Sequence, residues 1–296
     1  MNKHTITLTI QKTGLHTNIQ DTGRIGYQEF GVPSGGVMDR TAAATANWLV
    51  GNPATTPLIE ITLMGPSIRI QGSAQIALTG ANLSPQLNKG TIPMYETLTI
   101  NKEATLSFGK AINGCRTYLA IGGDWQVQEW LGSSSAATTT PSTLTPDSVL
   151  QKNSQLKIQP RFFLPKRIYE VNLRPIYSDP AFIKVVPGPE FELFSPYAIA
   201  SFFSQTYTIS NDSNRMGYRL IGKDLKIKLK REVISSGIVP GTIQISNSGQ
   251  AILLMRDAQT TGGYPRIANV ISKDLDTVAQ LRPRKGIRFE LKQKGV

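Results

Sequence analysis

Thr5-Ile6-Thr7-Leu8-Thr9-Ile10-Gln11-Lys12 places Ile6, Leu8 and Ile10 at alternate positions, with threonines between them. Period two puts the aliphatics on one face and the hydroxyls on the other, which is the pattern of a half-buried β-strand. Short alternating or β-branched runs of the same kind recur along the chain. They are PSIRIQGS (66–73), QIALTGA (75–81), TLTINK (97–102), TLSFG (105–109), RTYLAIGG (116–123), LKIQP (156–160), FIKVVPG (182–188), TYTIS (206–210), LKIKLK (225–230), TIQIS (242–246), AILLMRD (251–257) and IRFEL (287–291). Gly, Pro and Asn turns separate them. With 26 Gly and 18 Pro spread throughout, the expected class is all-β, as a barrel or sandwich. Three short helices are expected. Asp39 caps TAAATANWLVG, which Gly51 closes; Pro196 opens PYAIASFFS behind Ser195; Ser272 caps KDLDTVAQL ahead of Pro283.

The same opening stretch has no apolar h-region or small-residue cleavage site, so it does not read as a signal peptide. The longest unbroken aliphatic run is Ala251–Met255, far below the roughly 20 residues a transmembrane helix needs. A cytoplasmic protein is expected. At about 150 residues per domain, 296 residues make one large domain or two ordinary ones. Residues 133–148 (SSSAATTTPSTLTPDS) read as an exposed loop, and Pro160, Pro165 and Pro175 mark an extended connector. The expected division is 1–160 and 161–296. Arg24-Ile25-Gly26-Tyr27 and Arg215-Met216-Gly217-Tyr218 form a short repeat, one copy in each half, which points to two related barrels.

Scarce residues exclude several chemistries. One cysteine, Cys115, rules out intrachain disulfides and CxxC sites. Two histidines, His4 and His16, exclude a His-rich metal site and leave a His-dependent mechanism with little to use. No metal is expected. The net charge is +12, and residues 161–296 hold most of the excess, with 21 Lys/Arg against 11 Asp/Glu. In KDLKIKLKRE (Lys223–Glu232), Lys226, Lys228 and Lys230 alternate with Leu225, Ile227 and Leu229, the pattern of a solvated strand face. No aromatics interleave the lysines, so nucleic-acid binding is not expected.

Chemistry concentrates in three stretches. In Met255–Pro265 an aliphatic strand runs into a polar segment that ends in Gly262-Gly263. Asp257 can act as a base or orient an amide N–H, Tyr264 can stack or donate a proton, and paired glycines let backbone N–H groups approach a carbonyl. The bland reading is a polar turn capped by Asp257. In Ser210–Leu220, Arg215 offers a planar donor fork and Asn214 a donor and an acceptor; the bland reading is a turn with Arg215 paired to a nearby acid. Gln244 of TIQIS is placed near the same space. The third stretch, Gln20–Tyr27 followed by Gly31–Asp39, is glycine-rich but lacks the lysine of a phosphate loop, and Asp21 and Arg24 are expected to pair structurally.

The runs Gln20–Tyr27, Gly31–Asp39, Leu49–Asn52 with Glu60, Pro187–Glu190, Asn214–Leu220, Ser236–Gln244 and Leu254–Tyr264 resemble, in order and spacing, the biotin-dependent carboxyltransferase-like family, also called the allophanate hydrolase subunit 2 family. The resemblance covers nearly the whole chain. It implies two cyclophilin-like β-barrel lobes and a catalytic set of Asp257, Arg215 and Tyr264. It implies substrate contacts at Asn214, Met216, Gln259, Thr260 and Thr261, to which the residue reading adds Gln244, Gly262 and Gly263, and a second cluster of Asp21, Arg24, Tyr27, Met38 and Asp39. One departure stands out. Members usually carry Gly-Ser-Arg-Ser-Thr and a Gly-rich loop where this chain has Gly132-Ser133-Ser134-Ser135-Ala136 and a Thr/Pro-rich run.

The resemblance further implies one non-autonomous component, the C subunit, of an ATP-dependent 5-oxoprolinase complex. Its implied partners are a homologous B subunit and the A subunit, with which it opens 5-oxoproline, a cyclic amide, to glutamate. No cofactor is expected on this chain alone, and ATP is used by the complex. One alternative is carboxyl transfer from carboxybiotin to urea or a similar amide, with biotin supplied in trans. Another is a non-catalytic regulatory partner of the B subunit, in the role of antagonist to a kinase inhibitor. Neither a nucleic acid nor a membrane is an expected partner.

Overall fold

The computed structural model describes residues 5–137, 144–226 and 233–292, and within them strands dominate. The opening alternation is realised as the strand Ile6–Lys12, whose Ile6, Leu8 and Ile10 are wholly buried. Each of the other runs named above contributes a strand except LKIKLK, most of which lies outside the described residues along with the rest of the lysine-alternating segment. No described helix is long and apolar enough to cross a membrane.

Chain packing separates two compact units. The first comprises residues 1–24 and 35–176, the second 25–34 and 177–296. The division falls after Ile176 and not at the expected 160/161, because the proline-spaced connector packs on the first unit. Gln75 clamps Leu164 through both halves of its amide, donating to the carbonyl at 2.7 Å and accepting from the N–H at 2.9 Å. Arg167 donates its N–H to Thr97 Oγ1 at 3.1 Å, and Tyr169 donates its N–H to the Tyr95 carbonyl at 2.8 Å. Gly51 adopts φ +74°, a backbone conformation that favours glycine, and a Cβ there would lie 2.2 Å from Leu164 Cδ1, so a side chain at this position would push Leu164 aside.

In the first unit the strands form two sheets. One runs, in spatial order, Asp124–Gln126, Gln155–Gln159, Ile6–Lys12, Ser67–Gln71, Ala104–Phe108, Pro85–Leu87 and Gly90–Thr91. The other runs His16–Gln20, Leu58–Thr62, Asn113–Ile121, Ala74–Asn82 and Leu98–Ile100. Aliphatics from both sheets make one continuous core, with Leu8 and Ile70 from the first and Ile59, Leu78 and Leu119 from the second. The second sheet is buried on both faces. Its far side lies under helix α1 (Arg40–Leu49), where Ala42, Ala46 and Leu49 meet Leu58, Ala77, Tyr118 and Ala120. Asp39 caps that helix as expected, its Oδ1 accepting from the Ala42 N–H at 2.8 Å.

Among the described residues, only the strands of the second unit close into a barrel. Its order is Ala181–Pro187, Arg266–Val270, Thr242–Ile245, Ala251–Leu254, Gly217–Ile221, Tyr207–Ile209 and Gly286–Leu291, the last pairing in parallel with the first. Alternation fills the interior with Ile183, Val185, Tyr218, Leu220, Ile243, Leu253, Ile287 and Phe289, all buried. Helix α2 (Pro196–Ser204), capped by Ser195 through the Ala198 N–H at 3.1 Å, stacks Phe202 on Phe289 at 4.9 Å. The third helix differs from expectation. Residues Ser272–Asp274 form a 3-10 turn and α3 spans Leu275–Ala279, with no side-chain cap from Ser272. The class is therefore all-β with short helices, but one lobe is a closed barrel and the other a pair of sheets.

The repeated Arg-x-Gly-Tyr motif sits in two different settings. Arg24 donates to backbone carbonyls of Trp130 and Ser135, whereas Arg215 donates to a carboxylate.

Candidate functional site

In the barrel, Tyr218 and Leu220 point inward, so Arg219 between them points out. Register then decides its neighbours: Arg219 pairs with Ile252, and Ile252 with Gln244. These three side chains form a row across three strands on the outer face. The row floors a cavity of about 690 Å³, walled by Ser210, Asp212, Asn214 and Met216 on the loop before Gly217, and by Gln259 and Tyr264 on the loop after Leu254. Gln250 and Leu254 complete its lining.

Of the residues expected here, Asn214, Met216, Gln244, Gln259 and Tyr264 line the cavity. Asn214 Oδ1 accepts from the Met216 N–H at 2.8 Å, which leaves the amide nitrogen at the rim. Gln244 is 2% exposed and its Nε2 reaches the Tyr264 carbonyl at 3.4 Å. Arg215 and Asp257 do not line it. Arg215 Nε donates to Asp257 Oδ2 at 2.9 Å and Nη2 to Oδ1 at 2.8 Å, a fork-to-carboxylate pair with both residues buried. Backbone bonds reinforce it, with the Asp257 N–H on the Arg215 carbonyl and the Met255 N–H on the Met216 carbonyl, both at 2.9 Å. The pair therefore fastens together the two loops that carry the cavity walls.

Thr260, Thr261, Gly262 and Gly263 do not line the cavity either. Thr261–Gly262 pairs with Ser236–Gly237 in a two-stranded ribbon, and the Thr260 carbonyl accepts from the Ile238 N–H. Gly262 has a steric role: a Cβ there would stand 2.7 Å from Gln244 Nε2. Arg266 anchors the ribbon, donating Nη1 to the Gly237 carbonyl at 2.9 Å and gripping Glu190 through Nε at 2.7 Å and Nη2 at 2.5 Å. The Arg266 side chain and N–H hold the Glu190 carboxyl below its ordinary range.

The second expected cluster divides. Asp21 accepts from Ser133 Oγ, Ser135 Oγ and the Ser134 N–H, each at 2.6 Å, and from the Gly23 N–H at 2.8 Å. Arg24 donates to carbonyls of the same segment and lies 4.9 Å over the Trp130 ring. The departing Ser133-Ser134-Ser135 run is thus a buried clasp around Asp21, not an exposed loop. Met38 and Asp39 belong to another group. The Met38 N–H donates to Glu60 Oε2 at 2.9 Å, the Asp39 N–H to the Tyr118 hydroxyl at 2.8 Å, and that hydroxyl to Glu60 Oε2 at 3.0 Å. Arg116 Nε stands 3.6 Å from Glu60 Oε1. Burial, then the Glu60 charge, pushes the Tyr118 phenol well above its ordinary value. Tyr27 belongs to the second unit.

Residue-level reading placed Ser210, Asp212 and Arg219 inside the Ser210–Leu220 stretch without giving them a role, and it missed Gln250 at the cavity and Arg116 and Tyr118 in the first unit. The signal was alternation. Arg219 falls on the outward phase of GYRLI, and Arg116 and Tyr118 share one face of the strand Asn113–Ile121.

Residues 30–291 match the carboxyltransferase domain, subdomain A and B, family model. The chain is 34% identical over 282 residues to the C subunit of 5-oxoprolinase from Escherichia coli strain K12, covering 95% of this chain and 90% of that one. It is 33% identical to urea amidolyase of Saccharomyces cerevisiae, covering 93% of this chain but 16% of that protein. Its fold matches the solved urea carboxylase of Kluyveromyces lactis with a TM-score of 0.89 at 29% identity, over 96% of this chain and 27% of that one.

Proposed function

The chain belongs to the carboxyltransferase domain family, subdomain A and B, and from that premise we propose that it acts as the C subunit of an ATP-dependent 5-oxoprolinase complex. One observation carries this reading: the match to the bacterial C subunit takes in 95% of this chain and 90% of that one, whereas the match to urea amidolyase takes up 16% of a much longer protein. Partners in the reading are the homologous B subunit and the A subunit, in the cytoplasm, with ATP used by the complex.

The barrel cavity is the proposed substrate site. Opening 5-oxoproline breaks the lactam C–N bond as water adds to the carbonyl carbon, and ATP turnover drives the step. Amide resonance resists attack, so the carbonyl oxygen must gather charge and needs aligned donors. The Asn214 amide, the Gln259 amide and the Tyr264 hydroxyl rim the cavity and supply that type of group. Arg215 and Asp257 are assigned a positioning role, since each is engaged by the other behind the cavity wall.

The test is 5-oxoproline-dependent ATP hydrolysis by the chain reconstituted with the A and B subunits from the same genome, against each omission. Turnover that needs all three components, and falls when Asp257→Ala is introduced, is the expected result. A stable complex with no 5-oxoproline-dependent turnover overturns the assignment. The fold match to urea carboxylase favours carboxyl transfer as the second reading, and carboxylation of urea by carboxybiotin in the presence of this chain would establish it instead.

A further inference from the structure

Gln244 is almost wholly buried, yet its side-chain oxygen has no hydrogen-bond partner among the described residues and is not sealed off, so it opens on the cavity. Two strands away in the same outward row, Arg219 lines the cavity with no carboxylate partner among the described residues. Adjacent strands lie about 4.8 Å apart, so the two Cα positions are separated by roughly 10 Å, and Ile252 floors the interval. An amide at one end, an apolar floor and a guanidinium at the other end define a ligand by its chemistry.

We propose that this cavity selects a small cyclic amide that also carries a carboxylate, with Gln244 reading the amide and Arg219 pairing with the carboxylate. The inference deepens the reading of the cavity as the 5-oxoproline site and rests on it. Ring methylenes lie on Ile252. The guanidinium matches a carboxylate through two parallel N–H bonds, a geometry lysine cannot supply. Asp212 on the same rim, its carboxylate accepting from Ser210 Oγ at 3.5 Å, balances the charge of Arg219. The lining as a whole therefore suits a monocarboxylate better than a phosphate or other dianion. Arg219 therefore separates lactams that carry a carboxylate from lactams that do not.

Calorimetric titration of the chain, alone and assembled with the A and B subunits, tests this with 5-oxoproline and 2-pyrrolidinone. The wild-type protein is expected to bind 5-oxoproline about tenfold or more tighter than 2-pyrrolidinone, the same ring without the carboxylate. Arg219→Ala should bring 5-oxoproline down to the level of 2-pyrrolidinone while leaving the latter unchanged, and Arg219→Lys should fall between. Equal binding of the two lactams by the wild type, or a preference that survives Arg219→Ala, overturns the carboxylate anchor and leaves the cavity reading standing. Failure of the wild-type complex to bind either lactam overturns the cavity reading and the anchor with it.

Discussion

Arg215 and Asp257 meet through two parallel hydrogen bonds of 2.9 and 2.8 Å with both residues buried, and the Asp257 N–H returns a third bond to the Arg215 carbonyl. They lie 42 residues apart in sequence, and their contact ties together the two loops that wall the cavity.

Breaking a buried pair by removing one partner leaves the other charge without compensation, at a cost of about 3–5 kcal/mol. Arg215→Met and Asp257→Leu singly should each lower stability on that scale in urea denaturation. The double variant should lose clearly less than the sum of the two. Additive losses would show that the two side chains do not act as a unit.

Tyr118→Phe removes a hydroxyl that both donates to Glu60 and accepts from Asp39. Each of two buried groups loses one hydrogen bond, so a loss of about 1–3 kcal/mol is expected. The phenol also reports on alkaline stability. Its folded value is raised, chiefly by burial, so its contribution is complete below the unfolded value of about 10 and is lost as pH climbs from there toward the folded value. Spectrophotometric titration should show this phenolate appearing only together with unfolding, and the signal should be missing in Tyr118→Phe.

Glu190 gives the acid-side counterpart. Its carboxyl is held low by Arg266, so its contribution is present above the ordinary value of 4.5 and disappears as pH falls through the lowered folded value. The Arg266 N–H donates to Glu190 Oε2 at 3.0 Å, and its hydrogen exchange should lose protection, relative to other barrel amides, across that acid range. Glu190→Gln should have lowered protection already at neutral pH and show no such acid step.

Gly262→Ala places a methyl group 2.7 Å from Gln244 Nε2 and 3.1 Å from Ile238 Cδ1. The end of a glutamine side chain yields readily, so stability should change by less than about 1 kcal/mol, while Gln244 is displaced toward the cavity. In the reconstituted complex KM for 5-oxoproline should rise several-fold with the thermal midpoint unchanged. An unaltered KM would argue that Gln244 does not touch the substrate.

Asp21→Ala empties a pocket of donors from Ser133, Ser134, Ser135 and Gly23. Buried donors left unmet cost about 1–3 kcal/mol each, so Asp21→Ala should be among the most destabilising substitutions in the first unit, measured by denaturant midpoint. Asp21→Asn, which keeps one acceptor oxygen, should cost less.

The strands, the class and two of the three helix caps are legible in the sequence, because alternation and capping are local properties of backbone geometry. Ile6, Leu8 and Ile10 announce their buried face, and Asp39 and Ser195 announce their helices. The family is legible for a different reason, the order and spacing of several motifs along the whole chain. The cavity loops are legible only as polar runs: Asn214, Met216, Gln259 and Tyr264 line the cavity, while Arg215 and Asp257 in the same runs face each other.

Which residues are strand, and which side each faces, therefore follows from local pattern. The chemistry of the site follows from folding. Registry between strands put Arg219, Ile252 and Gln244 in one row, and no local pattern encodes which residue lies opposite which across a barrel. Long-range pairing decided that Arg215 and Asp257 neutralise each other, and that a serine run departing from the family pattern holds Asp21. Hydrogen bonds and ion pairs act over a few ångströms, so a side chain's chemistry depends on the neighbours folding brings to it, however far off in the chain they begin.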